Sequence, residues 1–102
     1  MNVHTINANR QTTLATLVGG GTGAGVLVPS ATVGLFIDET TAGASVAIQV
    51  SNDNSNFADY VSPVDLSAVT VTSAYVIDIP FKYMRAVETA DAGGAATIYM
   101  SW

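Results

Sequence analysis

The 102-residue chain contains no cysteine. That excludes a disulfide framework, a thiolate nucleophile and cysteine-ligated zinc, so the fold must be held by packing. Positive charge is scarce: Arg10, Lys82 and Arg85 stand against eight acidic residues, for a net charge of −5 and a pI near 4.2. Three dispersed cations cannot neutralise a run of phosphates, so nucleic acid is excluded as a partner, and an anionic membrane surface is disfavoured for the same reason. Histidine occurs once, as His4, which leaves no material for a catalytic triad or a histidine-rich metal site. No window approaches the roughly 18 uninterrupted apolar residues of a membrane helix, and the start Met1-Asn2-Val3-His4-Thr5 lacks a basic region followed by an apolar stretch. These absences predict a protein made and used without export, with no catalytic residues, no cofactor, no resident metal and no membrane partner.

Charge of either sign is also thin. Only 11% of residues are charged, against roughly 25% in typical domains. Either Ser, Thr, Asn and Ala coat the surface, or much of it faces other protein. At this length the chain forms one domain with one core.

What the sequence does have is alternation. Val46, Ile48 and Val50 point one way while Ser45, Gln49 and Ser51 point the other. Val33, Leu35 and Ile37 repeat the pattern, as do Tyr75, Ile77 and Ile79, and then Ala96, Ile98, Met100 and Trp102. Helix signals are nearly absent, since the chain is rich in Val, Thr, Ile and Gly and poor in Leu, Glu, Lys and Arg. Reading the segments in order predicts strands near 11–18, 24–28, 31–38, 44–51, 57–61, 66–71, 74–79, 82–88 and 95–102. Turn signals punctuate them at about 8–12-residue intervals, the spacing of a sandwich or jelly roll. Thr41-Ala42-Gly43 and Asp91-Ala92-Gly93-Gly94 fit hairpin connections, and 52–56 is a polar Asn/Asp loop. The expectation is an all-β, antiparallel, jelly-roll-like β-sandwich of eight to nine short strands spanning 11–102, preceded by an irregular N-terminal arm, 1–10.

Candidate chemistry is sparse. Gly19, Gly21 and Ala24 formally satisfy a dinucleotide-binding pattern. That pattern needs a helix opening at the glycines, whereas Ala24-Gly25-Val26-Leu27-Val28-Pro29 continues as strand, so the segment is read as a flexible connection able to order against a neighbour. The loop from Asn52 to Asp59 offers oxygen ligands for calcium, but it lacks the EF-hand glycine and terminal Glu. Phe81, Tyr83 and Arg85 suggest a planar platform for a sugar or base, with cross-strand packing as the plainer reading. The acids Asp38, Glu39, Asp53, Asp59, Asp65, Asp78, Glu88 and Asp91 are spread along the chain and read as solvated charge at strand ends and turns.

Two stretches carry a resemblance. Residues 46–60, VAIQVSNDNSNFADY, resemble a strand-turn-strand of discoidin-like β-sandwiches, and Phe81-Lys82-Tyr83-Met84-Arg85-Ala86-Val87 resembles their later Arg-Tyr-x-Arg strand. Asn54 stands where that family has a turn glycine, and the family's cysteine bridges are missing, so no ligand-contacting residue is carried over. The same segments look similar to small β-sandwich virion proteins of tailed bacteriophages, the capsid decoration or cement proteins. That likeness implies a non-enzymatic structural protein, synthesised in the bacterial cytoplasm and bound to the major capsid protein on the outer surface of the virion. It further implies a homo-oligomer, with a trimer favoured. Candidate interface residues are Val3, His4, Ile6 and Arg10 of the arm and Gly21 and Gly23 of the glycine segment. The alternative is a carbohydrate-binding module on a tail or host-recognition protein, using Tyr60, Tyr83 and Arg85. A connector or tail-tube role is a third reading.

Overall fold

The computed structural model describes residues 10–39, 44–89 and 95–102. Nine strands are present among them: β1 (Gln11–Val18), β2 (Gly21–Thr22), β3 (Val26–Leu27), β4 (Thr32–Glu39), β5 (Val46–Ser51), β6 (Ala58–Asp59), β7 (Ser73–Asp78), β8 (Tyr83–Glu88) and β9 (Ala95–Ser101). They make two antiparallel sheets, and no helix occurs among the described residues. Sheet A runs β1-β9-β4-β7, while in sheet B β2 and β3 lie along one edge of β8, followed by β5 and β6. If β2 and β3 are taken as one broken strand, first pairs with last and so on inward: β1 with β9, β2/β3 with β8, β4 with β7, β5 with β6. An antiparallel ribbon of paired strands wrapped in this way is a jelly roll.

Alternation decides the core. Val33, Leu35, Ile37, Ala96, Ile98 and Met100 face inward from sheet A, and Val46, Ile48, Val50, Met84 and Ala86 face them from sheet B. Fully buried side chains such as Leu35, Ile37, Ile48 and Ile98 each contribute roughly 1.5–3 kcal/mol of apolar burial. In β1 the pairing to β9 slips between Thr13 and Ala15, so that Leu14 and Ala15 are both buried before alternation resumes with Leu17 inside. Such a bulge re-phases the strand. Arg10 exchanges both backbone hydrogen bonds with Trp102, extending the β1–β9 ladder by one pair.

Two segments depart from the pattern read in the sequence. Residues 66–71 are not a strand. Tyr60, Leu66 and Val69 instead reach the free edge of β5 one at a time, through Tyr60 N to Ile48 O, Ile48 N to Leu66 O and the reciprocal Val46–Val69 pair. The Asp65 carboxylate accepts from the amide and hydroxyl of Ser67, a local turn that competes with continuous pairing. The span predicted as one strand over 24–28 is split and starts earlier, because the glycine segment is itself laid along β8: Gly21 pairs with Glu88, Thr22 with Val87, and Gly23 N donates to Ala86 O at 2.8 Å. Gly19 and Gly20 have φ of 69° and 88°, values open to glycine, and they turn the chain from sheet A into sheet B. The hairpin turns assigned to 41–43 and 91–94 lie outside the described residues.

Candidate functional site

The outer faces of the two sheets differ. Over sheet B the chain supplies its own cover. Ser51 Oγ donates to Asp53 Oδ1 at 2.8 Å, and Asp53 Oδ1 accepts from the amides of Ser55 and Asn56 at 2.9 and 2.8 Å, with Asn56 Nδ2 on the other carboxylate oxygen. Those backbone and side-chain donors hold the Asp53 carboxyl well below the usual carboxylate range. Asn54, at φ 59°, completes the turn. The loop returns through Phe57, whose ring lies 4.0 Å beneath the Arg85 guanidinium. Arg85 Nε also donates to Gln49 Oε1 at 2.8 Å, and Gln49 Nε2 donates to Asp59 Oδ1 at 2.9 Å.

These contacts account for most of the chemistry weighed from the sequence. The Asp53 carboxylate that would have served calcium is taken up by donors of its own loop. Phe57, not Phe81 or Tyr83, stacks on Arg85. Phe81 instead stands between two open pockets at one end of the sandwich, of about 360 and 410 Å³. Tyr60 is buried, and its hydroxyl donates to Asp78 O at 3.0 Å, so its ring is not offered to a sugar. Gly21 and Gly23 sit on β8 with their backbones paired. Of the arm candidates, Arg10 is tied to Trp102, and Val3, His4 and Ile6 lie outside the described residues.

Sheet A has no such cover among the described residues. Its outward positions form rows across the strands: Thr13, Tyr99, Phe36 and Ala74 in one, Gln11, Ser101, Gly34 and Val76 in the next, then Thr16, Thr97 and Asp38. Phe36 and Tyr99 are direct cross-strand partners with ring centroids 6.4 Å apart, and together they form the aromatic centre of the face. Val76 is 80% exposed and Phe36 45%. Gly34 keeps the floor flat: a Cβ there would sit 2.7 Å from Ser101 Oγ. Among the described residues, charge on this face is confined to Asp38 and Asp78, and Thr32 Oγ1 donates to the latter at 2.8 Å. An aromatic and valine centre ringed by threonine, with two acids at its margins, has the composition of a protein contact. Sequence reasoning missed Phe36, Val76 and Tyr99 because each is alone in its strand, opposite in phase to the core residues beside it.

The fold is similar to that of the SPBc2 prophage-derived protein YomS. The match covers 91% of each chain with a TM-score of 0.70 at 10% sequence identity, and is a likeness of fold. No family model matches the sequence, and no curated protein matches it.

Two acids depart from the expectation of solvated charge. Glu39 continues the inward phase of Val33, Leu35 and Ile37, and Glu88 that of Met84 and Ala86, so the two carboxylates enter the end of the core from opposite sheets. Glu88 is 4% exposed. Its Oε1 accepts from Gly20 N. Burial first, and the neighbouring Glu88 charge second, push the Glu39 carboxyl above its ordinary value.

Proposed function

We propose that this protein is a non-enzymatic structural component of a bacteriophage virion, a decoration or cement protein that binds across junctions between capsid subunits and stabilises the head. The observation that carries the reading is the outer face of sheet A, centred on Phe36 and Tyr99 and uncovered among the described residues, on a chain whose other sheet face is covered by its own loop. The fold likeness to a prophage-derived protein supports the phage setting. The net charge of −5 supports a place on the outside of the particle, away from packaged nucleic acid. In this reading copies of the chain associate, with a trimer as the favoured state, and each copy adds a contact of its own. Such linked contacts raise occupancy through effective concentration, and binding that is selective for the assembled lattice stabilises it by mass action. The arm residues Val3, His4 and Ile6 are assigned a supplementary contact with a neighbour.

The test is the variant Val76→Asp combined with Phe36→Asp, both at exposed positions of sheet A, measured for occupancy on capsids stripped of the protein and for their thermal disruption. The expected result is loss of binding and of capsid stabilisation, while circular dichroism of the isolated variant keeps its β signature. Full occupancy by the folded variant overturns the assignment of this face. If the wild-type protein neither binds capsids nor changes their disruption temperature, the cement role itself is overturned.

A further inference from the structure

One end of the sandwich is built around Phe81, a ring that neither the core nor the proposed interface uses. The β7–β8 connection carries it from sheet A to sheet B and is pinned on both sides: Ile79 N donates to Ala31 O at 2.8 Å, and Lys82 O accepts from Val28 N at 2.9 Å. Phe81 itself is 37% exposed. It lines both of the pockets at this end, of about 360 and 410 Å³, and Asn52 lines both with it. Asn52 follows β5 directly, at the root of the loop that the Asp53 carboxylate ties together. A site whose floor and rim are fixed before a ligand arrives loses little freedom on binding. Each volume falls within the roughly 300–1,000 Å³ range of small-ligand sites.

The two pockets differ in chemistry. The first has an apolar wall of Val50, Ala58 and Val61, with Asn56, Asp59 and Ser62 around it. Gln49 holds Asp59 Oδ1, which leaves Oδ2 to accept, and Asn56 donates its amide to Asp53, which leaves its own Oδ1. The second pocket contains Ser30 and Lys82. Lys82 is exposed and has no acidic partner among the described residues, whereas Arg85 is engaged by Phe57 and Gln49. Across the Phe81 ring the surface thus changes from carboxylate and amide acceptors to an unpaired ammonium. An aromatic ring flanked by short amides and hydroxyls, groups that both donate and accept, suits a ligand with apolar C–H faces and many hydroxyls. The ammonium selects for one anionic group, on the second side only.

We propose that this end of the sandwich binds an acidic oligosaccharide, with a neutral sugar ring in the first pocket, a ring bearing a carboxylate in the second, and Phe81 beneath the linkage between them. Lys82 meets the carboxylate through a charge-assisted hydrogen bond, and Asn52, lining both pockets, serves hydroxyls of the two rings. Asp59 sets the order, because its carboxylate repels an anion from the first pocket. An exposed ring alone would accept any apolar side chain; the rim of amides and hydroxyls is what favours a sugar over a peptide. The site is separate from the outer face of sheet A and does not depend on the role of that face.

The experiment follows the amide NMR spectrum of the isotope-labelled full chain during titration with sialyllactose and, separately, with a hyaluronan tetrasaccharide, whose acidic rings are a sialic acid and a glucuronic acid. Lactose is the neutral control. At least one acidic probe is expected to give saturable shifts at Asn52, Ser62, Phe81 and Lys82, with a Kd of about 1 mM or tighter. Phe81→Ala should weaken that binding by about tenfold, and Phe81→Tyr should keep it. Lys82→Gln should weaken the acidic probe by about fivefold, bringing it to the affinity of lactose. Unchanged resonances away from the site show that each variant is folded. Three results overturn the proposal: no saturable shift with either acidic probe up to about 20 mM, acidic-probe binding undiminished in Phe81→Ala, or lactose binding as tightly as sialyllactose. A hexaglutamate peptide that shifts these amides when the sugars do not would assign the pockets to an acidic peptide and overturn it equally.

Discussion

Gly23→Ala isolates one close contact and asks what the glycine segment is for. A Cβ built at Gly23 would lie 2.8 Å from Ala15 Cβ and 3.2 Å from Ala86 O, where carbon atoms ordinarily rest about 3.5–4.0 Å apart. Neither obstacle is the end of a flexible side chain: one is the first carbon of a β1 residue, the other is β8 backbone. β1 and the segment on β8 must therefore separate by about 0.7 Å to restore ordinary contact. Overpacking of this kind costs about 1–3 kcal/mol. The φ of Gly23 is outside the left-handed region, so alanine also gains about 0.4–1 kcal/mol from the less flexible unfolded chain. The net expectation is a loss of about 1–2 kcal/mol, a fall in Tm of roughly 5–10 °C for a domain of this size.

The decisive arm is Ala15→Gly, which removes the opposing methyl. Combined with Gly23→Ala it moves one methyl across the contact, and the double-mutant cycle should show a favourable coupling of about 1–2 kcal/mol in urea unfolding. Gly21→Ala is the control. Nothing lies within 4 Å of a Cβ there, but its φ of 145° is one that side chains rarely adopt, so its cost is backbone strain that Ala15→Gly cannot relieve. If Gly23→Ala unfolds within about 0.5 kcal/mol of wild type, or if Ala15→Gly fails to rescue it, the glycine is not there for close packing. The segment would then regain its claim as a loop kept loose for a partner.

The loop over sheet B yields two further expectations. Because the folded-state Asp53 carboxyl lies below its unfolded value, its contribution is fully present above the unfolded pKa of about 3.9 and is lost as pH falls through the lower folded value. The stability gap between wild type and Asp53→Ala, measured by urea unfolding, should accordingly be constant near neutrality and shrink only at strongly acidic pH; a gap independent of pH throughout refutes the assignment. Arg85→Ala removes a stacking contact on Phe57 and one hydrogen bond to Gln49, for a loss of about 1–2 kcal/mol. Arg85→Lys should recover less than half of it, because the planar fork supplies both contacts. Full recovery by lysine would mean that charge alone matters at this position.

Much of the fold is legible in the sequence because period-two alternation is a strong signal where one face is buried. The inward sets 33–35–37, 46–48–50, 77–79 and 96–98–100 are buried as read. The segment 66–71 misleads because Val69 and Val71 carry the β-branched signature while only Val69 pairs with a strand; Val71 is 65% exposed. Propensity is local, and a strand needs a neighbour along its length. The glycine segment misleads in the opposite sense. Its composition suggests looseness, yet the absence of side chains is what lets it lie flat on β8 beneath Ala15, a close approach visible only once both sheets are in place.

The outer face of sheet A and the buried acid pair are hidden in the sequence for different reasons. Phe36, Val76 and Tyr99 are far apart in the chain, and only the registers Phe36↔Tyr99 and Gly34↔Val76 bring them onto one patch. A slip of one residue in any strand would turn that strand's outward residue into the core. No sequence periodicity fixes register between strands so widely separated, so the face is a property of the topology. Glu39 and Glu88 differ, because their position follows from parity alone. Counting by two from Val33 reaches Glu39, and counting by two from Met84 reaches Glu88. Placing acids at strand ends in solvent is sound where alternation stops, but here strand pairing continues to the acids themselves: Glu39 is in register with Ala96 and Glu88 with Val46. A charge that keeps the phase of the core inside a paired strand is obliged to point inward, and here two such charges arrive at the same end of the sandwich from opposite sheets.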